Sequence, residues 1–232
     1  MTNWRKIELL FVLIVFCSPS ETRGQDSSWF KDVTEETGLT GQFGMYLVAV
    51  DLNGDDYPDL LVYNNTETNR NNLSLYLNEQ DPESEFPLDR VFTDFTEESG
   101  VNANPDSEED GRMSSLASPA DVDNDGDTDL VTCLYYHRIE NKDDYTEEDR
   151  CEVLLNDGEA HFTIAENNGL HELGLVNGTG FSFLDYDQDG NIDLYIATFF
   201  ADYTANDYGF DIMMRGNGDG TFTDVSTETG IN

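Results

Sequence analysis

The stretch DVDNDGDTDL, residues 121–130, places carboxylates at loop positions 1, 3, 5 and 9 around a glycine at position 6. No basic residue lies among these carboxylates to relieve their mutual repulsion. Calcium takes about six to eight oxygen ligands in a flexible geometry, and alternate residues of a tight turn can direct their oxygens at one point. The glycine allows the sharp bend that turns the carbonyl of position 7 toward the same point. The stretch therefore predicts a calcium-binding turn.

Two further stretches repeat this pattern, DLNGDDYPDL at 51–60 and DYDQDGNIDL at 185–194. Asp/Asn/Gly turns on an acidic surface would not explain why the same four positions carry side-chain oxygens three times. We therefore predict about three Ca²⁺ ions, bound in loops 51–59, 121–129 and 185–193 by side chains at positions 1, 3, 5 and 9 and by the carbonyl of position 7. The predicted ligands are Asp51, Asn53, Asp55, Tyr57 and Asp59, then Asp121, Asp123, Asp125, Asp127 and Asp129, then Asp185, Asp187, Asp189, Asn191 and Asp193.

A second motif repeats with the same period. The phrase FKDVTEETG at 30–38 returns as FTDFTEESG at 92–100 and FTDVSTETG at 222–230, with a degenerate copy at 162–170. Its phenylalanines are 62, 70 and 60 residues apart, and the loops are 70 and 64 residues apart. Two independent motifs that share one period indicate a structural repeat.

Each repeat has the pattern of four strands. Apolar or alternating runs precede the loops at 46–50, 115–120 and 180–184 and follow them at 60–63, 130–136 and 194–200. A third run lies at 73–77, 151–155 and 211–214, and the Phe-x-Asp-Val-Thr phrase supplies the fourth strand. Four antiparallel strands in 60 to 70 residues are typical of a β-propeller blade. The predicted fold is all-β, with about three four-stranded antiparallel blades.

The loops do not have the pattern of EF-hands. An EF-hand loop needs a bidentate Glu at position 12 and helices on both sides. Position 12 is Val62, Thr132 and Ile196 in the three loops, and β-branched residues surround each site.

Composition limits the function and the compartment. The 232-residue chain has a net charge of −38, which excludes generic nucleic-acid binding and disfavours docking on anionic lipid. Residues 1–24 have the pattern of a signal peptide, with Arg5 and Lys6 before an apolar run at 9–17 that is too short to span a bilayer. We therefore expect residues 25–232 to be a secreted domain without membrane insertion, or a periplasmic or cell-surface domain in a bacterium.

Two cysteines, Cys133 and Cys151, remain after the predicted signal peptide, and both lie in apolar runs beside one insertion. In an oxidising compartment they would be cross-strand disulfide partners, and two buried free thiols fit the sequence equally well.

The residues Phe43-Gly44 followed by VAVDLNGDDYPDL at 48–60 resemble the FG-GAP repeat, which is shared with VCBS-type modules and the integrin α-chain propeller. The phrase Asp-Val-Thr-x-x-x-Gly resembles the cartilage acidic protein-type group. The resemblance covers about residues 28–232 and implies a calcium-bound propeller, usually of seven blades, with the metal ligands at the positions named above.

The sequence departs from that family pattern in three ways. Asp56 stands at position 6 and Asn53 at position 3 of the first loop, which predicts weaker binding there. A Phe-Gly pair occurs in the first repeat alone, and the chain ends after three loops. Three blades cannot close a propeller, so we expect either a part of a longer protein or self-association of chains.

Three functions remain open from the sequence. The first is an interaction or adhesion module with structural calcium ions, whose partner is an unknown extracellular protein or glycan. The second is a propeller hydrolase or lyase, which is disfavoured because the sequence has no Gly-x-Ser-x-Gly motif and no His-x-x-x-His spacing. The third is an acidic matrix calcium-binding protein.

Overall fold

The computed structural model describes residues 30–64, 72–85, 89–105, 111–135, 147–202 and 207–231, with the side chains of 200–202, 207 and 208 left aside. The predicted signal peptide lies outside these residues. Within the described part of the chain, no helix is both long enough and apolar enough to cross a membrane.

Three four-stranded antiparallel sheets follow one another along the chain, as predicted. Their strands are β1 Tyr46–Val50, β2 Asp59–Tyr63, β3 Leu73–Gln80, β4 Arg90–Asp94, β5 Leu116–Ala120, β6 Asp129–Cys133, β7 Glu152–Asn156, β8 Phe162–Ile164, β9 Gly178–Leu184, β10 Asp193–Thr198, β13 Ile212–Gly216 and β14 Phe222–Asp224. The first sheet has the order β1-β2-β3-β4, the second β5-β6-β7-β8, and the third β9-β10-β13-β14. We refer to these sheets as blades 1, 2 and 3.

Apolar side chains fill the two junctions between blades. Strand β5 of blade 2 lies beside both β1 and β9, so the first strands of the blades are neighbours. Between blades 1 and 2 the buried cluster includes Leu61, Leu73, Leu75, Leu130 and Leu154. Between blades 2 and 3 it includes Val131, Val153, Leu194, Ile196 and Met214. The central strands are therefore apolar on both faces, as expected for a sheet covered on both sides.

The repeated phrase forms both the fourth strand and a contact with the next blade. After β4 and β14 it continues into single helical turns, α1 Thr96–Ser99 and α2 Ser226–Thr229. Gly100 ends α1 with φ 69°, and a Cβ added there would lie 2.8 Å from the carbonyl oxygen of Phe162 in blade 2. Gly38 faces the carbonyl of Phe92 and Gly169 faces that of Phe222 in the same way. The glycine of each of the first three phrases thus packs against the phenylalanine backbone of the next phrase.

Several details differ from the predicted strands. The first copy of the phrase is irregular at 30–33 and turns at 34–38, where a strand was predicted. The degenerate copy leads into a 3-10 turn, His171–Leu173, rather than an α-helical one. The strand predicted at 130–136 ends at Cys133, and a short hairpin, β11 Phe200–Asp202 with β12 Asp207–Tyr208, extends beyond β10.

A disulfide joins Cys133 at the end of β6 to Cys151 just before β7. It decides between the two alternatives that the sequence left open. The bond closes the insertion between these strands, and both cysteines are fully buried.

Removal of the disulfide is expected to destabilise the protein. The cysteines are 18 residues apart. A cross-link that closes a loop of about that length lowers the entropy of the unfolded chain, which raises the free energy of unfolding by about 3 kcal/mol. The double variant Cys133→Ala/Cys151→Ala should therefore unfold at a lower urea concentration than the oxidised protein. Reductant should lower the midpoint of the wild type and leave that of the variant unchanged. Equal midpoints for the variant and the oxidised wild type would contradict a stabilising bond.

The contact between phrases can be tested with a matched pair of substitutions. Gly100→Ala places a methyl group against the backbone of Phe162, whereas Gly230→Ala, at a similar φ of 74°, meets nothing within 4 Å. Both carry the cost of a left-handed alanine, about 1 kcal/mol. We expect Gly100→Ala to cost at least about 1 kcal/mol more than Gly230→Ala in chemical unfolding. Equal costs would show that the close approach between blades does not limit this position.

Candidate metal centres

The three predicted metal loops share one backbone form. Each connects the first strand of its blade to the second and has two left-handed residues, at positions 4 and 6. The residues at position 4 are Gly54, Asn124 and Gln188, with φ of 72°, 64° and 63°, and those at position 6 are Asp56, Gly126 and Gly190, with φ of 68°, 102° and 94°. Asn, Asp and Gly tolerate this region best, which explains most of the residue choice. Asp56 therefore fits the bend where the other two loops have glycine.

A fully buried aspartate at position 9 ties each loop to its own blade. Asp59, Asp129 and Asp193 start the second strands, and each carboxylate accepts two backbone N–H groups. One oxygen accepts from position 2 of the loop, from Leu52 at 2.9 Å, Val122 at 2.9 Å and Tyr186 at 2.8 Å. The other accepts from the end of the third strand, from Asn78 at 2.8 Å, Asn156 at 2.9 Å and Gly216 at 2.9 Å. Position 9 therefore fixes the loop even before any cation is considered.

Burial raises the pKa of two of these carboxyl groups. Removal from water raises the pKa of Asp59 from 3.8 to about 6 against the opposing effect of its two backbone hydrogen bonds, and nearby Asp55 and Asp51 raise it further. The pKa of Asp129 rises from 3.8 to about 6 for the same reason, and Asp123 and Asp125 add to the shift. Burial also raises the pKa of Asp123. A cation bound nearby would favour the ionised forms of these carboxyl groups and so lower their pKa.

The second and third loops bring three carboxylates together. In each loop, oxygens of positions 1, 3 and 9 lie within 4.8 Å of one another, from Asp121, Asp123 and Asp129 and from Asp185, Asp187 and Asp193. A buried oxygen of Asp121, Oδ1, has no hydrogen-bond partner in the described part of the protein. A buried acceptor without a donor is costly, and a cation with oxygen preference satisfies it. The oxygen donor set of these two loops fits Ca²⁺.

Position 5 shapes the turn through a backbone hydrogen bond. Asp125 and Asp189 lie outside the two groups of gathered carboxylates. Their Oδ1 atoms accept the N–H of position 7, Asp127 at 2.9 Å and Asn191 at 2.8 Å. These side chains shape the turn that presents position 7, the residue whose backbone carbonyl is a predicted ligand.

The first loop forms no such group of three carboxylates. Asp51 accepts the N–H groups of Gly54 at 2.9 Å, Asp55 at 3.2 Å and Asp56 at 2.8 Å, and position 3 is the neutral Asn53. Asp55 accepts the N–H of Tyr57 at 2.9 Å and also pairs with Arg90, whose Nη2 lies 3.1 Å from its Oδ2. Sequence reasoning missed Arg90. The signal was its place two residues before Phe92, where the other blades have uncharged Ala160 and Gly220.

Each of the first two loops also contacts the next blade. The carbonyl of Leu52 accepts from Nδ2 of Asn156 at 2.7 Å, and that of Val122 accepts from the N–H of Gly220 at 3.3 Å. Asn124 Nδ2 donates to Asn191 Oδ1 in the third loop at 3.3 Å. In these two loops the residue at position 2 therefore makes two contacts at once. Its N–H binds the position-9 carboxylate, and its carbonyl binds the neighbouring blade.

A cavity of about 390 Å³ lies away from the loops, with Arg150, Glu152, Asn168 and His171 among its lining residues. Glu152 is buried, and its two oxygens accept from Arg150 Nε at 2.7 Å and Asn168 Nδ2 at 2.5 Å. Its charge is therefore stabilised within the protein. Among the described residues, the loop carboxylates of the second and third blades have no comparable basic partner, which makes these loops the stronger candidates for binding a cation.

Two models of known repeat families match the parts of the chain that contain the three loops. The FG-GAP-like repeat model matches residues 121–196, and the FG-GAP repeat model matches residues 43–76. No curated protein matches the chain. The first match spans the second and third loops and the other spans the first.

Among solved structures, a lectin of Agrocybe aegerita that specifically recognises non-reducing terminal N-acetylglucosamine is similar over 77% of this chain and 36% of that chain. The identity is 17% and the TM-score is 0.39, and the present chain spans little more than a third of that structure's length. A likeness of this degree carries no information about ligands. The two repeat matches and the three four-stranded antiparallel sheets together support an FG-GAP repeat domain of the β-propeller class.

Proposed function

We propose that this chain is a secreted, calcium-stabilised propeller module that binds an extracellular protein or a glycan. FG-GAP repeats favour an interaction module of propeller type. The finer proposal, that the ions are calcium and structural, rests on one observation above the others. Three carboxylates of the second loop converge within 4.8 Å, and the buried Oδ1 of Asp121 has no donor in the described chain.

The ions would act through the loops' contacts. A Ca²⁺ ion among Asp121, Asp123 and Asp129 would offset the burial, and the smaller repulsion from Asp123 and Asp125, that raise the pKa of Asp129. It would hold Asp129 ionised, and this carboxylate binds the N–H of Val122, whose carbonyl binds blade 3. An ion in one loop would therefore strengthen the junction between two blades. On this proposal the chain is not an enzyme, and its role is to present rigid loops to a partner.

An acidic matrix protein that buffers calcium is the alternative with some support, because the net charge is −38. Buffering needs many weak and independent carboxylates, whereas the position-9 aspartates are fully buried inside the blades. Their placement favours ions that belong to the fold.

Calcium is expected to raise the melting temperature of the full chain. A ligand that binds the folded state alone stabilises by about 2.7 kcal/mol per site at a hundred times its dissociation constant. In a domain of this size each kcal/mol raises the melting temperature by about 2–4 °C. Asp121→Ala should lose one ion's share of that increase, whereas Glu98→Ala, which removes an exposed carboxylate on α1, should keep all of it.

The melting temperatures of the same proteins in chelator provide a second test of structural calcium. Asp121→Ala should be at least as stable as the wild type without calcium, because one repelling carboxylate is gone. A melting temperature that does not change with Ca²⁺, in wild type and variants alike, would rule out structural calcium.

The stability of the calcium-free protein should also depend on pH in a specific direction. A carboxyl group whose pKa is higher in the folded state contributes stability that is present below its unfolded value and is lost as the pH rises through its folded value. For Asp59 and Asp129 that window runs from about 4 to about 6. We therefore expect the chelated protein to melt at a higher temperature at pH 5 than at pH 7.5, and Ca²⁺ to reduce this difference.

General charge repulsion also weakens on acidification, so a control with the same charge change is needed. Asp129→Asn should have a smaller pH dependence in chelator than Glu98→Ala, since Asp129→Asn removes a buried carboxyl group whose pKa is raised. Equal slopes for the two variants would assign the effect to overall charge alone.

A further inference from the structure

The guanidinium of Arg90 lies against the first loop, where a cation was predicted. It is the first residue of β4, and its Nη2 is 3.1 Å from Oδ2 of Asp55 at loop position 5. Its Cζ lies 3.6 Å from the ring centroid of Tyr57 at position 7. A guanidinium over a tyrosine ring is held by the ring's negative face as well as by the carboxylate. One side chain thus contacts two of the five predicted ligand positions.

Arg90 also reaches the partner of position 9. Its Nε donates to Oδ1 of Asn78 at 3.0 Å, and its Nη2 donates to the backbone carbonyl of Asn78. The N–H of Asn78 is the donor that binds the buried Asp59. The positive charge is therefore built into the same hydrogen-bond network that fixes the loop to blade 1.

In the described part of the chain, the other two loops have no counterpart to this arrangement. Arg90 lies two residues before Phe92. The residues two positions before Phe162 and Phe222 are Ala160 and Gly220, which carry no charge. These are also the loops in which carboxylates of positions 1, 3 and 9 converge. In the first loop Asn53 removes one of those charges, and Asp55 has its second oxygen bound to Arg90. Fewer carboxylates at the predicted ligand positions and a fixed cation are both changes that disfavour a divalent ion in the first loop.

We propose that Arg90 replaces the calcium ion of the first loop, so that the chain binds two ions rather than three and blade 1 keeps its form without calcium. The proposal rests on the proposed function, because it assigns calcium to the second and third loops. Arg90 is then a residue that determines where calcium binds. A guanidinium supplies one positive charge and directional hydrogen bonds, which suit a loop that has lost one carboxylate.

The decisive measurement is the number of Ca²⁺ ions bound per full chain, from isothermal titration and from metal analysis after equilibrium dialysis. Two ions support the proposal, and three overturn it. No bound ion would instead overturn the calcium assignment itself, so the two failures are distinguishable.

Arg90→Gln tests the cause of the lower number. It removes the fixed charge, and we expect the variant to bind a third ion and to gain more in melting temperature from Ca²⁺ than the wild type. Arg215→Gln, in β13 of blade 3, makes the same change of charge away from the loop and should bind two ions. If Arg90→Gln folds and still binds two, Arg90 is not what excludes calcium.

Asp55→Asn tests the proposal without altering the arginine, in case Arg90→Gln does not fold. It weakens the contact with Arg90, so its melting temperature should fall equally in chelator and in Ca²⁺. Asp123→Asn, at position 3 of the second loop, should instead lower the melting temperature mainly in Ca²⁺. A loss of calcium-dependent stabilisation in Asp55→Asn would show that Asp55 is a ligand and would overturn the proposal.

Discussion

Each blade contains a fully buried carboxylate, and the cost of keeping that charge away from water governs the architecture around it. Asp59, Asp129 and Asp193 each receive two backbone N–H groups, one from the loop and one from the third strand. Such bonds stabilise the anion, yet for Asp59 and Asp129 they do not offset burial, because the pKa of both remains near 6. The ionised forms of these two carboxyl groups therefore remain unfavourable in the ion-free protein. A further positive charge in the loop would stabilise them.

The loops differ in what lies beside their carboxylates. Blade 1 has a guanidinium at hydrogen-bond distance from its loop, and the second and third loops have converging oxygens that suit a divalent cation. The loops also lie where blades meet, through Leu52 with Asn156 and Val122 with Gly220. Local charge balance and the packing of successive blades are therefore linked, because the residue at position 2 takes part in both.

The sequence predicted the elements that depend on local pattern. Strand β1 begins and ends where the alternation of 46–50 placed it, and the three loops have the common bend that their Asp, Asn and Gly residues predict. Contacts between repeats could not be obtained in this way. The packing of Gly100 against Phe162 and the reach of Arg90 to Asp55, 35 residues away, join segments that are distant in the chain. The periodicity shows that Gly, Phe and Arg positions exist, but not what they face.

A net charge of −38 suggests that calcium would act by neutralising the whole molecule. The structure favours a more local role for the ions. Two divalent ions would offset four of those charges, which leaves the overall repulsion almost unchanged. Their effect would instead be confined to carboxylates that are buried and close together, where an ion interacts more strongly than with exposed charges in water. The exposed acidic residues are screened by ordinary salt. The buried aspartates at position 9 are screened far less, so only a charge placed inside the loop can balance them.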